Sequence, residues 1–176
     1  MDIIAFLHDK TLKPKEKTEA LSQLLLEKTI DTDELIAFAA TAKDPVKATC
    51  IEALEFATQK QPDLITESAF QFVTGMLAAK APRVKWESAK VIGNTAHLFA
   101  GHLDEAIKNL LINSEHEGTV VRWSAAFALG EILKQGSPYN QELLPAIEAI
   151  ISREEKNSIK KVYQNALKKI PLKNPA

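Results

Sequence analysis

Cysteine, glycine and tyrosine are scarce in this chain of 176 residues, and its net charge is only −1. The single cysteine, Cys50, cannot form a disulfide within the chain. Six glycines and two tyrosines, beside abundant alanine, leucine, glutamate and lysine, favour helices throughout. A net charge so close to zero argues against a protein whose main affinity is for phosphate backbones, and binding to nucleic acid is therefore not expected.

Long apolar runs are also missing. No stretch approaches the roughly 20 apolar residues that a membrane-spanning helix needs. The beginning of the sequence has no positively charged region, and its apolar run, residues 3–7, is too short for a secretory signal peptide. The sequence therefore predicts a cytoplasmic protein with no membrane partner.

Positive charge is concentrated near the end of the sequence. Residues 153–173 contain seven basic side chains and only two acidic ones, Glu154 and Glu155. A solvated cap at the end of a helical stack is the simpler interpretation of this segment. Binding to an acidic partner is the alternative.

A branched apolar residue followed by a basic residue recurs every 37 to 38 residues. The four pairs are Val46-Lys47, Val84-Lys85, Val121-Arg122 and Ile159-Lys160. Counted from the branched residue, offsets of zero, four, seven, eight and eleven carry small or apolar residues in nearly every copy, and these offsets trace one stripe of an α-helix. A helix that recurs at this period predicts a helical solenoid, in which each unit buries its apolar face against its neighbours.

Each repeated helix follows another amphipathic segment, so the units are predicted to be helical hairpins. We expect an all-α chain with a single domain over residues 1–176 and no strand. The five predicted hairpins span approximately residues 1–28, 33–60, 63–98, 103–134 and 139–170. In each hairpin, the repeated helix is the second one.

The repeat motifs resemble those of HEAT repeats, which belong to the armadillo-like α-solenoids. The resemblance rests on Asp44-Pro45-Val46-Lys47 with Ala53-Leu54, on Pro82-Arg83-Val84-Lys85 with Val91-Ile92-Gly93, and on Val121-Arg122 with Ala128-Leu129-Gly130. It covers roughly residues 33–170 and implies a right-handed α-α superhelix that binds proteins and, occasionally, nucleic acids. By itself it implies no chemistry. The last unit departs from this pattern, because Tyr163 stands at offset four, where the other units have a small residue. Such a departure is compatible with a capping unit at the end of the stack.

The candidate binding residues lie opposite the apolar stripe, at offsets two, six, nine and thirteen of two second helices. They are Trp86, Lys90 and Gly93 in the third hairpin, and Trp123, Phe127, Gly130 and Lys134 in the fourth. In the resembling family the second helices line the concave surface, so these side chains are predicted to line a groove. The two glycines are expected to leave a bare backbone floor between aromatic walls. Alternatively, the indoles lie flat over neighbouring side chains.

The basic residues at offset one form a ladder along the predicted stack: Lys47, Lys85, Arg122 and Lys160. One interpretation makes this ladder a track for anions. The other places the bases on the flank between hairpins, where they bond neighbouring loops, with Asp44 and Asp63 as plausible partners.

These observations favour an interaction module that binds a protein or peptide in the groove. Trp86, Trp123 and Phe127 are the predicted anchors, and Lys90, Arg122 and Lys134 are predicted to steer acidic groups of the partner. We expect no catalytic residue, metal or cofactor. The alternative is a nucleic-acid-binding or DNA-glycosylase-like HEAT-repeat enzyme. Such enzymes use a catalytic aspartate in the groove, but the groove offsets of this sequence contain no aspartate. The acidic residues nearest to those offsets are Glu52, Glu55, Glu87 and Glu131. A third class is a lyase-like or chaperone-like repeat protein that loads cofactors onto partners.

Overall fold

The computed structural model describes residues 1–172, and within that range it contains ten α-helices and no strand. The helices are α1 (Ile3–His8), α2 (Pro14–Leu26), α3 (Thr32–Thr41), α4 (Asp44–Lys60), α5 (Glu67–Met76), α6 (Pro82–Thr95), α7 (Asp104–Asn113), α8 (Thr119–Leu133), α9 (Asn140–Arg153) and α10 (Asn157–Lys168). Short 3-10 turns at Pro62–Leu64 and Ala96–Phe99 follow α4 and α6.

Local sequence explains where several of these helices begin. Pro14, Pro45 and Pro82 stand in the first turns of α2, α4 and α6, where a missing N–H removes no helical hydrogen bond. Before α5, the hydroxyl oxygen of Thr66 accepts a hydrogen bond from the Ala69 amide at 3.1 Å, which satisfies one of the unpaired amides of the first turn. The second helices α2, α4 and α6 thus start at defined residues, which sets the register of the residues they expose.

The helices form two layers that differ in how closely their members pack. Consecutive second helices, α2, α4, α6, α8 and α10, contact one another much more extensively than the first helices α3, α5 and α7 do. The more closely packed layer of a curved stack follows the shorter arc. We infer from this closer packing that the second helices form the concave side.

The apolar stripe predicted from the repeats is the core of this stack. The residues at offset four, Cys50, Ser88, Ala125 and Tyr163, are all buried. Those at offset eight are buried in α4, α6 and α8, whereas Leu167 in α10 is half-buried because no further hairpin covers the last helix among the described residues. The prediction of an all-α solenoid is confirmed.

Cys50 is a filler of this core. Its side chain is buried, and burial raises the pKa of the thiol to about 12. A buried thiol with so little thiolate character is a poor nucleophile.

Residues 1–172 contain no helix that is long and apolar enough to cross a membrane. The same range holds no cluster of three or more histidine, cysteine or acidic side chains arranged to bind a metal ion.

Candidate functional site

The most exposed aromatic surface of the concave side lies on α8. Trp123 is 39% exposed, and its indole stacks on the ring of Phe127 one turn later, with centroids 5.9 Å apart and planes 4° from parallel. Residues four apart on a helix are neighbours, so α8 alone brings the two rings together. We call this pair the aromatic platform.

Gly93 supports the platform from the neighbouring helix α6. A Cβ atom at this position would lie only 2.8 Å from Cδ1 of Phe127, so the Phe127 ring occupies the space that a side chain would need. Gly93 is consequently buried. The prediction of a bare backbone floor at Gly93 is wrong, because the aromatic side chain of the next repeat fills it.

Gly130 has a different neighbour but the same role. A Cβ atom there would meet the Cβ of Ala166 in α10 at 3.0 Å. The missing side chain therefore lets α8 and α10 approach closely, and little of Gly130 itself is exposed. Gly130 nevertheless lines the cavity that opens beside Trp123 and Phe127, so its predicted place in the floor of the groove stays a prediction.

Gly93→Ala is expected to displace the Phe127 ring and to destabilise the protein by up to about 2 kcal/mol. Alanine gains about 1 kcal/mol in helix propensity, but overpacking a filled site costs about 1–3 kcal/mol. Thermal unfolding and the near-ultraviolet circular dichroism of the aromatic platform measure both effects.

Gly75→Ala in α5 is the matched control, because no atom lies within 4 Å of a Cβ at that position. It is expected to stabilise the protein by up to about 1 kcal/mol. An equal gain from Gly93→Ala would contradict the packing of Phe127 on α6.

Trp86 lies on α6 in a polar network. Its side chain is half-buried, and its indole N–H donates to Oε1 of Glu87 at 2.9 Å. Oε2 of Glu87 accepts from Lys90 at 3.4 Å, and the Lys90 ammonium lies 3.9 Å from Oε2 of Glu55 in α4. The sequence predicted Trp86 and Lys90 as groove residues but did not predict that Glu55 and Glu87 hold them. The sequence did contain a signal for this network, because the repeat register places the acidic residues Glu55 and Glu87 near the basic residue Lys90.

The carboxyl groups of this network are strongly desolvated. Glu55 and Glu87 are only 5% and 4% exposed, and burial raises the pKa of both, although the positive charge of Lys90 partly opposes the rise. On the same pair of helices, Arg83 bonds Glu52 at 2.5 Å. The α4–α6 half of the groove thus contains three carboxylates that share two cations.

Stability is expected to increase as the pH falls from 7 toward about 4.5. The carboxyl pKa values of Glu55 and Glu87 are higher in the folded chain than in the unfolded one, where 4.5 is the ordinary value. The folded state therefore binds more protons in this window, and its free energy of unfolding rises as protons are added. Thermal unfolding of wild type and Glu55→Gln across the window measures the effect. The variant should show a shallower pH dependence, and an unchanged slope would contradict the assignment.

The three basic residues predicted to steer acidic groups have different surroundings. Lys90 is paired with the two carboxylates of the network, and Lys134 bonds Glu131 at 2.5 Å. Both lie on the groove side of their helices, with part of their charge already neutralised.

Arg122 does not lie in the groove. Its guanidinium donates to the Glu154 carboxylate, with the shorter bond at 3.1 Å, and to the carbonyl oxygens of His116 and Glu117 at 3.0 Å. Burial alone would raise the pKa of Glu154, but the hydrogen bonds from Arg122 and Lys156 and the charge of Arg122 outweigh it and lower that pKa. The prediction that Arg122 is a groove residue is wrong.

Two of the four basic residues at offset one, Lys85 and Arg122, bond to neighbouring loops and helices. Arg122 connects the loop before α8 to the loop before α10, and Lys85 donates to the Leu77 carbonyl and to the Asn113 side chain at 3.2 and 3.3 Å. The partners are carbonyls, an amide and Glu154, rather than the predicted Asp44 and Asp63. For these two bases the flank interpretation describes the structure.

A shallow cavity opens between α8 and α10 beside the aromatic platform. Trp123 and Phe127 form one wall, and the rest of its lining includes Glu131, Lys134, Val162 and Lys169. An exposed apolar surface edged by charged side chains is typical of an interaction site.

Comparisons with known proteins by sequence alone find no matching family model and no matching curated protein. By structure, the chain is similar to a designed armadillo repeat protein in complex with the peptide (KR)4, with 17% identity, a TM-score of 0.71, and coverage of 96% of this chain and 80% of that one. A second similar structure is a computationally designed armadillo repeat protein for modular peptide recognition, with 17% identity, a TM-score of 0.72, and coverage of 96% and 81%.

A natural protein complex shows the same likeness. The chain is similar to a structure of the complex of CpcE and CpcF of phycocyanin lyase from Nostoc sp. PCC7120, with 17% identity, a TM-score of 0.64, and coverage of 94% of this chain and 95% of that one. At these identities the likeness is one of fold. The chain is an α-solenoid of armadillo/HEAT-like repeats.

Proposed function

We propose that this chain is a non-enzymatic interaction module that binds a peptide or an extended protein segment along its concave face. The observation that carries the proposal is the aromatic platform, a parallel Trp123–Phe127 pair beside an open cavity between second helices. Tryptophan is enriched among the residues that dominate binding energy, and an aromatic surface open to solvent is expected at such a site. Two similar designed proteins, one bound to a peptide and one made for peptide recognition, support the proposal.

The candidate residues have separate roles in this proposal. Trp123 is the principal anchor because one of its faces is open, and Phe127 supports it from beneath. Gly93 and Gly130 act indirectly, since they let Phe127 and α10 take their places. Trp86 offers a second, half-buried apolar surface on α6. Lys90 and Lys134 lie beside these aromatic groups and contribute charge to the rim.

A library of random 12-residue peptides displayed on phage tests the proposal. Peptides selected on the wild-type protein are expected to lose binding to the Trp86→Ala/Trp123→Ala variant. Ile112→Ala is the control, because Ile112 is 60% exposed but lies on the first helix α7, away from the groove. Peptides that bind the double variant as tightly as wild type would overturn the proposal.

One observation favours a second candidate, an enzyme on the same scaffold, as in the DNA-glycosylase-like alternative. Buried carboxyl groups with raised pKa values, such as Glu55 and Glu87, are common in active sites. Against it, the negative charge of this cluster opposes a phosphate backbone, and both carboxyl groups already have partners in Lys90 and Trp86. Mobility shift of a DNA duplex at two salt concentrations tests the class. Retarded DNA whose binding weakens with salt would favour it.

A further inference from the structure

The two tryptophans of the groove differ in what they leave available to a partner. The Trp86 N–H is already bonded to Glu87, which in turn is bonded to Lys90. Among residues 1–172, the Trp123 N–H has no acceptor, and its indole is the more exposed of the two. Trp123 therefore presents both a flat apolar face and an unused hydrogen-bond donor.

The charge around Trp123 is positive. The cavity lining contains Lys134 and Lys169 but only one carboxylate, Glu131, which is bonded to Lys134. Lys169 forms no salt bridge within the part of the chain that the structure describes. The adjoining helix α10 adds Lys161 and Lys168 at offsets two and nine, the offsets of Trp123 and Gly130, and has no acidic residue between its bounds. Within residues 1–172, this half of the groove therefore has more positive than negative charge, and its acceptors are the Glu131 carboxylate, which is bonded to Lys134, and the side-chain amide of Asn165.

The α4–α6 half of the groove is compensated internally. Arg83 and Lys90 neutralise most of the charge of Glu52, Glu55 and Glu87, and the Trp86 N–H uses a carboxylate oxygen. The excess of positive charge therefore lies beside the aromatic platform, between α8 and α10, and it is complementary to an acidic ligand.

We propose that the groove binds an acidic segment that carries an aromatic side chain. The aromatic ring stacks on the open face of Trp123 and contacts Val162, which also lines the cavity. A neighbouring carboxylate of the segment accepts from the Trp123 N–H and lies close to Lys169 and Lys134. This inference rests on the proposed function, and it adds the chemistry of the partner.

The composition of peptides selected from the random 12-residue library tests this inference. We expect enrichment of aspartate and glutamate beside phenylalanine, tyrosine or tryptophan, and weaker binding at higher salt. Selected peptides are then synthesised and titrated against the charge-reversed variant Lys134→Glu/Lys169→Glu. Their Kd should rise by about tenfold or more, as expected when two rim charges change sign.

Lys80→Glu/Lys108→Glu is the matched control, since both lysines are exposed and lie outside the cavity lining. It carries the same change in net charge and should alter Kd by less than about twofold if the local charge decides binding. Circular dichroism of both variants establishes that they are folded. Equal losses in the two variants would overturn the inference.

The remaining outcomes separate the inference from the proposed function. Selection of lysine- and arginine-rich peptides that still require Trp123 would leave the proposed function standing and overturn the acidic partner. A library that yields no peptide dependent on Trp86 or Trp123 would overturn both. Dimerisation in sedimentation equilibrium that Trp123→Ala abolishes would show that a second copy of this chain covers the platform, and it too would overturn the inference.

Discussion

Ala125→Asp is expected to cost more than about 4 kcal/mol and to unfold at least the fourth hairpin. Ala125 is fully buried at offset four of α8, within the core stripe that packs the second helices together. A carboxylate at this position would lose its hydration without gaining a partner, which is among the few causes of very large destabilisation. At about 2–4 °C per kcal/mol for a chain of this size, the melting temperature should fall by roughly 10 °C or more.

Ala37→Asp provides the control for this prediction. Ala37 lies within α3, and its side chain is exposed. The same substitution there changes helix propensity and surface charge only, so its cost should stay below about 1 kcal/mol. If Ala125→Asp retained the melting temperature of Ala37→Asp, the register of the apolar stripe would be wrong.

The Trp86→Ala/Trp123→Ala variant is expected to lose binding of a groove ligand by at least about a hundredfold. Each buried anchor of an interface contributes roughly 2 kcal/mol or more, and about 1.4 kcal/mol corresponds to a factor of ten in affinity. Isothermal titration with a peptide selected on the wild type measures the loss.

Stability should change less than binding in this variant, and the two substitutions should contribute unequally. Trp123 is exposed and stacks on Phe127, whereas Trp86 is half-buried and bonded to Glu87. Most of any fall in melting temperature should therefore come from Trp86→Ala. Loss of folding together with unchanged binding by the folded fraction would show that the tryptophans are structural.

The repeat period was sufficient to predict the architecture from the sequence. Offsets on a helix fix which residues share a face, so the stripe through Cys50, Ser88, Ala125 and Tyr163 could be placed in the core without coordinates. The same reasoning placed Trp123 on the opposite face. Faces follow from the geometry of a single helix, which explains why this part of the account was predictable.

Contacts between helices were less predictable. The floor at Gly93 was predicted wrongly because helical register does not show that the Phe127 side chain of the next repeat leans across to fill it. The Lys90–Glu55 pair joins α6 to α4, and its existence depends on the spacing and rotation of two helices. Arg122 was misplaced because offset one lies at the edge between the groove and the loops, where the loop conformation decides which partner is reached.

The most direct test of the account is the fluorescence of Trp123 in a Trp86→Phe variant, in which it is the only tryptophan. Titration with a peptide selected on the wild type should produce a saturable change in its emission, with the same Kd as calorimetry. The emission is expected to change because the bound peptide covers the exposed face of the Trp123 indole. Calorimetric binding that saturates without any change in Trp123 emission would contradict the claim that the aromatic platform is the binding site.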